Sequence, residues 1–112
     1  MRDALIAING VQSVLSTLRY EFGRFEREDL PRWALEWQLN ILGQALRRID
    51  PADRTLRTKV PEIREAIATQ TAMSKRYDEI DNQLVWATAM EDMDPLRKAI
   101  QAALYEAGEP IT

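Results

Sequence analysis

The 112-residue sequence contains no cysteine and no histidine. The first absence removes disulfide staples, thiol nucleophiles and zinc–thiolate sites. The second removes imidazole, the side chain that ordinarily exchanges a proton near neutral pH. Any metal would have to sit among carboxylates, and no loop clusters Asp and Glu at the spacings hard cations need. Neither a metal nor a cofactor is expected. Positive charge is also short: 15 Lys+Arg against 18 Asp+Glu leave a net charge of −3. That gives no global electrostatic case for RNA or DNA. A local exception is Arg47, Arg48, Arg54, Arg57 and Lys59, diluted by Asp50 and Asp53 and read as a solvated helix end and loop. No apolar run approaches the roughly 20 residues of a membrane span, and the N-terminus lacks the apolar core of a signal peptide. No membrane association is expected, and the chain is read as cytoplasmic, with which the missing cysteine agrees.

What is present suits one helical domain over residues 1–112. Hydrophobic residues make up 46% of the chain and charged residues 29%, enough for one core and an ordinary soluble surface. Leu5, Ile8, Val11, Leu15 and Leu18 recur at spacings of three and four and predict a first helix over 2–19. Tyr20 to Asp29 reads as a charged, aromatic connection. Asp29 is the expected N-cap of a second helix running to about Ile49, with Pro31 in its first turn. That helix carries two apolar stripes, Leu35-Leu39-Leu42-Leu46-Ile49 and Trp33-Trp37-Ile41-Ala45. It is therefore either central in the bundle or shared with a partner chain. Gly43 in its middle is costly unless another backbone approaches there.

Pro61 opens a third helix reaching Lys75, and a break around 78–81 precedes a fourth carrying Leu84, Val85, Trp86 and Ala89. Asp94-Pro95 reads as the N-cap and first residue of a fifth helix ending at Gly108. Met90 and Met93 are expected to fill gaps in the packing. No stretch alternates with period two, so the expected fold is all-α, an antiparallel bundle of four to five helices. The third helix holds an anomaly. Positions 63, 67, 70, 74 and 77 share a face, yet the occupants run Ile63, Ile67, Gln70, Ser74, Tyr77. Polar residues at core positions mark either a site or interface, or a helix end emerging into solvent.

The order of several short motifs resembles the HepT-like branch of the HEPN toxins. Leu42-Gly43-Gln44-Ala45 is similar to that family's Ile-Gly-Glu-Ala. Pro61-Glu62-Ile63-Arg64-Glu65, then Gln70 to Tyr77, Ile80-Asp81, Leu84-Val85-Trp86 and Glu91-Asp92-Met93-Asp94-Pro95-Leu96 follow in the family's order, over about residues 2–107. The resemblance implies a HEPN-like bundle and a metal-independent ribonuclease whose arginine steadies the charged phosphate and whose histidine moves protons. Here the arginine position holds Gln70, the histidine position Lys75 and the following glycine Arg76, while Thr71 and Tyr77 keep the family's residue types. A lysine, ordinarily protonated at neutral pH, cannot accept a proton, although it can stabilise an anion. The resemblance further implies a homodimer, for which Trp33, Trp37 and Ile41 are the candidate interface. It also implies a minimal nucleotidyltransferase partner that transfers AMP to the tyrosine at position 77. Three readings stand: a degenerate member of a toxin–antitoxin pair, an active ribonuclease with a rearranged site, or an unrelated helical adaptor.

Overall fold

The structure, a computed structural model, describes residues 2–49, 60–75, 79–106 and 108. Among them are six helices and no strand: α1 (Arg2–Thr17), α2 (Phe22–Arg27), α3 (Asp29–Ile49), α4 (Pro61–Lys75), α5 (Asn82–Glu91) and α6 (Met93–Glu106). The expected all-α bundle is found, with one helix more than the periodicity predicted. Helix α3 is its centre, packed most extensively against α1 and α4 and also touching α2 and α5. Its first stripe lies inside: Leu35, Leu39, Leu42, Leu46 and Ile49 are all buried. They share one core with Ala4, Leu5, Ile8, Val11 and Leu15 of α1, Ile63 and Ala66 of α4, and Leu96, Ile100 and Leu104 of α6. Each such Leu or Ile contributes roughly 1.5–3 kcal/mol by leaving water. Among the described residues no helix is long and apolar enough to cross a membrane.

Several predicted boundaries move. Helix α1 stops at Thr17 because Arg19 and Tyr20 adopt successive left-handed conformations, φ 55° and 57°. The Tyr20 N–H reaches back to the Leu15 carbonyl at 2.9 Å and closes the turn. The expected connection over 20–29 contains α2, because Phe25 is fully buried there. Phe22 and Phe25 meet Trp86 of α5 with ring centroids 5.7 and 5.3 Å away, so tertiary packing holds a six-residue helix too short to persist alone.

Asp29 is not the N-cap of α3 but its first residue. The Glu28 carbonyl takes the first helical bond, from the Arg32 N–H at 3.2 Å, and the Asp29 carboxylate pairs with the Arg32 guanidinium at 2.6 Å. Likewise α6 starts one residue before Asp94. The Leu96 N–H bonds the Asp92 carbonyl at 3.1 Å, and the Asp94 carboxylate instead accepts from Gln12 of α1 at 3.2 Å. Asp81 caps α5, its carboxylate accepting from the Gln83 and Leu84 N–H groups. Met93 fills the core as expected, but Met90 points outward and is 44% exposed. Of the basic cluster, Arg48 pairs with Asp3 at 2.5 Å and Arg47 turns toward α4; Arg54, Arg57 and Lys59 lie outside the described residues.

Candidate functional site

The polar half of α4 faces a polar stripe on α3. Glu36, Asn40, Gly43 and Arg47 follow one another at spacings of four, three and four, so they share one face of that helix. Gly43 lets the helices close: a Cβ there would stand 2.3 Å from the Cβ of Gln70, a separation no side-chain rotation relieves. Gln70 is thereby pressed into the interface and left 6% exposed. A buried amide is costly unless its donors and acceptor find partners. Its Oε1 accepts from Arg47 Nε at 3.0 Å, and its Nε2 donates to Asn40 Oδ1 at 3.0 Å and Ser74 Oγ at 2.9 Å. Arginine can only donate, so this fixes which way the amide points. Arg47 also donates to the Thr71 hydroxyl, which itself donates to the Ile67 carbonyl at 3.0 Å.

The polar break in the α4 stripe is thus a satisfied network at position 70. Emergence into solvent accounts only for its end, where Ser74 and Lys75 are exposed. The structure brings Gln70 and Thr71 together under Arg47, while Lys75 closes α4 a turn beyond Thr71. Tyr77 and Arg76 lie outside the described residues. Trp33 and Trp37 are 55% and 62% exposed, so they are not core of this chain, and Ile41 is half-buried against the core.

Next to the network is an open groove of about 260 Å³, lined by Trp33, Glu36, Trp37, Asn40, Met73, Ser74 and Ile80. Among the described residues Glu36 is its one ionisable lining group, and burial pushes its carboxyl above the usual range, against the smaller opposing pull of Arg32. Sequence reasoning singled out position 70 but missed Asn40 and took Arg47 for part of a solvated basic cluster, whereas both hold Gln70 from the other helix. The polar stripe 36-40-43-47 was the available signal.

A second polar cluster lies on another face of α4. Asp92, between α5 and α6, is 4% exposed. Its carboxyl is pushed up to about 7, first by burial, then by the Glu65 carboxyl hydrogen-bonded to it, then by the charges of Glu65, Glu62 and Glu91. Beside it the buried hydroxyls of Thr69 and Thr88 meet at 2.8 Å. Sequence reasoning had placed Asp92 only within a motif.

The all-α bundle is consistent with the similarity found over most of the chain. The family model described as ribonuclease HepT-like matches residues 5–103, and the chain belongs to this family. No curated protein and no solved structure matches it.

Proposed function

We propose that this chain is a catalytically degenerate HepT-like HEPN protein of a prokaryotic toxin–antitoxin type module. It works by forming a homodimer and binding a minimal nucleotidyltransferase, in the cytoplasm, rather than by cutting RNA. One observation carries the reading: the arginine position of the motif holds a neutral amide, Gln70, whose two donors and acceptor are spent on Asn40, Ser74 and Arg47. Such an amide can neither neutralise a phosphate nor move a proton. Lys75 stands exposed at the end of α4, where the family has its histidine.

The rearranged-ribonuclease reading needs a cation and a base at one phosphate. Arg47 and the exposed Lys75 offer the cation and Glu36 the base, but eleven residues separate the backbones of Arg47 and Glu36 by about 16 Å along α3, and Lys75 is not among the groove's lining residues. Only Glu36 lines the groove. The exposed Trp33 and Trp37, with Ile41 beside them, support a partner-facing side on α3, and a twofold pair is the commonest closed assembly.

The test has three readouts on purified protein. Structured RNA and tRNA stay intact under conditions in which an Arg/His-bearing relative cuts them. Light scattering at micromolar concentration gives twice the chain mass. Incubation with a minimal nucleotidyltransferase encoded beside it, ATP and magnesium adds one AMP, and Tyr77→Phe abolishes the adduct. Cleavage lost in Lys75→Ala would refute the degenerate reading. An unmodified mass with no complex on a sizing column would refute the partner.

A further inference from the structure

The groove on α3 carries two indoles and, among the described residues, a single charged group, a carboxylate. Trp33 and Trp37 lie one turn apart, both largely exposed, and Glu36 stands on the same helical face between them. The Glu36 carboxylate is short of partners. Arg32 approaches it only to 3.9 Å, because that guanidinium donates to the Glu26 carbonyl at 2.7 Å and to Asp29 at 2.6 Å. A carboxylate with only 18% of its side chain exposed and no hydrogen bond given to it among the described residues is an incompletely satisfied acceptor. Indole faces attract cations through their quadrupole, and the attraction grows where water is excluded. At about 260 Å³ the groove falls below the roughly 300–1,000 Å³ of drug-sized ligand sites, which favours a single side chain over a nucleotide.

We infer that the Trp33–Glu36–Trp37 groove is a socket for an arginine side chain presented by a partner chain. Arginine fits better than lysine: its flat, weakly hydrated guanidinium stacks on indole, and its fork of N–H groups meets a carboxylate. Asn40 and Ser74 line the same groove and hold Gln70, so a side chain seated there would lie against the α3–α4 seam. The inference deepens the partner-binding reading of this face and rests on it, but it specifies the chemistry of the contact, whichever protein supplies it.

The test uses the full chain and two probes, N-acetyl-arginine amide and its neutral isostere N-acetyl-citrulline amide. Indole N–H resonances are followed by NMR, with chain mass measured on the same samples. Arginine amide is expected to shift the Trp33 and Trp37 signals saturably in the millimolar range, leaving Trp86 in place, with the citrulline compound about tenfold weaker. Where a second copy already fills the groove, arginine amide instead lowers the measured mass toward one chain and citrulline amide does not. Glu36→Gln, checked for an unchanged helical spectrum, brings arginine binding down to the citrulline level. Equal effects of the two probes, no effect of either up to 50-fold above the millimolar range (on the order of 50 mM), or full arginine binding in Glu36→Gln overturns the inference. A dimer that ignores arginine refutes only the socket; a monomer that binds it refutes only the dimer.

Discussion

Helix α4 buries polar groups on two faces, and the two are handled in opposite ways. Toward α3, Gln70 finds a partner for each donor and for its acceptor, with a glycine opposite to admit it. Toward the α5–α6 corner, Asp92 faces Glu65, Glu62 and Glu91, and among the described residues no basic group contributes to its shift. A satisfied buried network fixes the relation of two helices, because any slip leaves a donor without an acceptor. A buried acid among acids does the reverse, since it must hold a proton to be tolerated. The first face specifies the packing; the second makes it depend on pH.

The sharpest way to break the first face is Gly43→Ala. The new Cβ meets backbone-anchored atoms of Gln70, so we expect a loss of about 2–3 kcal/mol in urea unfolding, at the upper end for overpacking. Adding Gln70→Ala does not rescue it, because the clashing Cβ at position 70 remains. Next comes Gln70→Arg. It sets a second guanidinium against Arg47 and removes the amide that Asn40 and Ser74 hold, costing on the order of 2 kcal/mol. Arg47→Gln in the same chain returns at least about 1 kcal/mol of that, a coupling readable in a double-mutant cycle. Additive losses would mean that Arg47 and Gln70 do not act as a pair.

The second face predicts a smaller, pH-dependent effect. Asp92 has a folded pKa of about 7 against 3.8 for an ordinary aspartate. The native state therefore keeps a proton that the unfolded chain releases, and the stability this gives is complete below about pH 4 and lost as pH rises through 7. Asp3 and Glu28 shift downward, and their contributions change only at more acidic pH. Between pH 5.5 and 8 the melting temperature should fall, and in Asp92→Asn the fall is much shallower, with Glu36, whose carboxyl burial also raises, contributing what remains. At pH 8 the variant should gain on the order of 1 kcal/mol, about one unit of the relieved shift. Parallel profiles for the two proteins would show that the acid corner does not govern this window.

Much of the bundle was legible because its long helices carry strong three-four stripes. The Leu35-to-Ile49 row of α3 is buried as its spacing implies. Helix α2 was not, because two phenylalanines in six residues form no periodic pattern, and its reason for existing is Trp86, sixty residues away. The caps at 29 and 94 failed for a local reason: aspartate beside an expected first turn reads as a cap, but here each carboxylate has a side-chain partner, Arg32 or Gln12, that draws it away. At the site, the apolar stripe of α4 showed that position 70 was wrong for a core. What satisfies it was hidden, because Asn40 and Arg47 are ordinary surface residues on their own helix until α4 is laid against them.

The tryptophans divide by environment in a way that gives the protein two built-in optical reporters. Trp86 sits among Phe22 and Phe25 at the junction of α2 and α5, while Trp33 and Trp37 stand in water along α3. Emission from the first follows the docking of the 22–27 helix, and quenchable, red-edge emission from the other two follows whatever covers the groove. Loosening of the bundle and covering of the α3 groove therefore leave separate spectral signatures in the unlabelled chain.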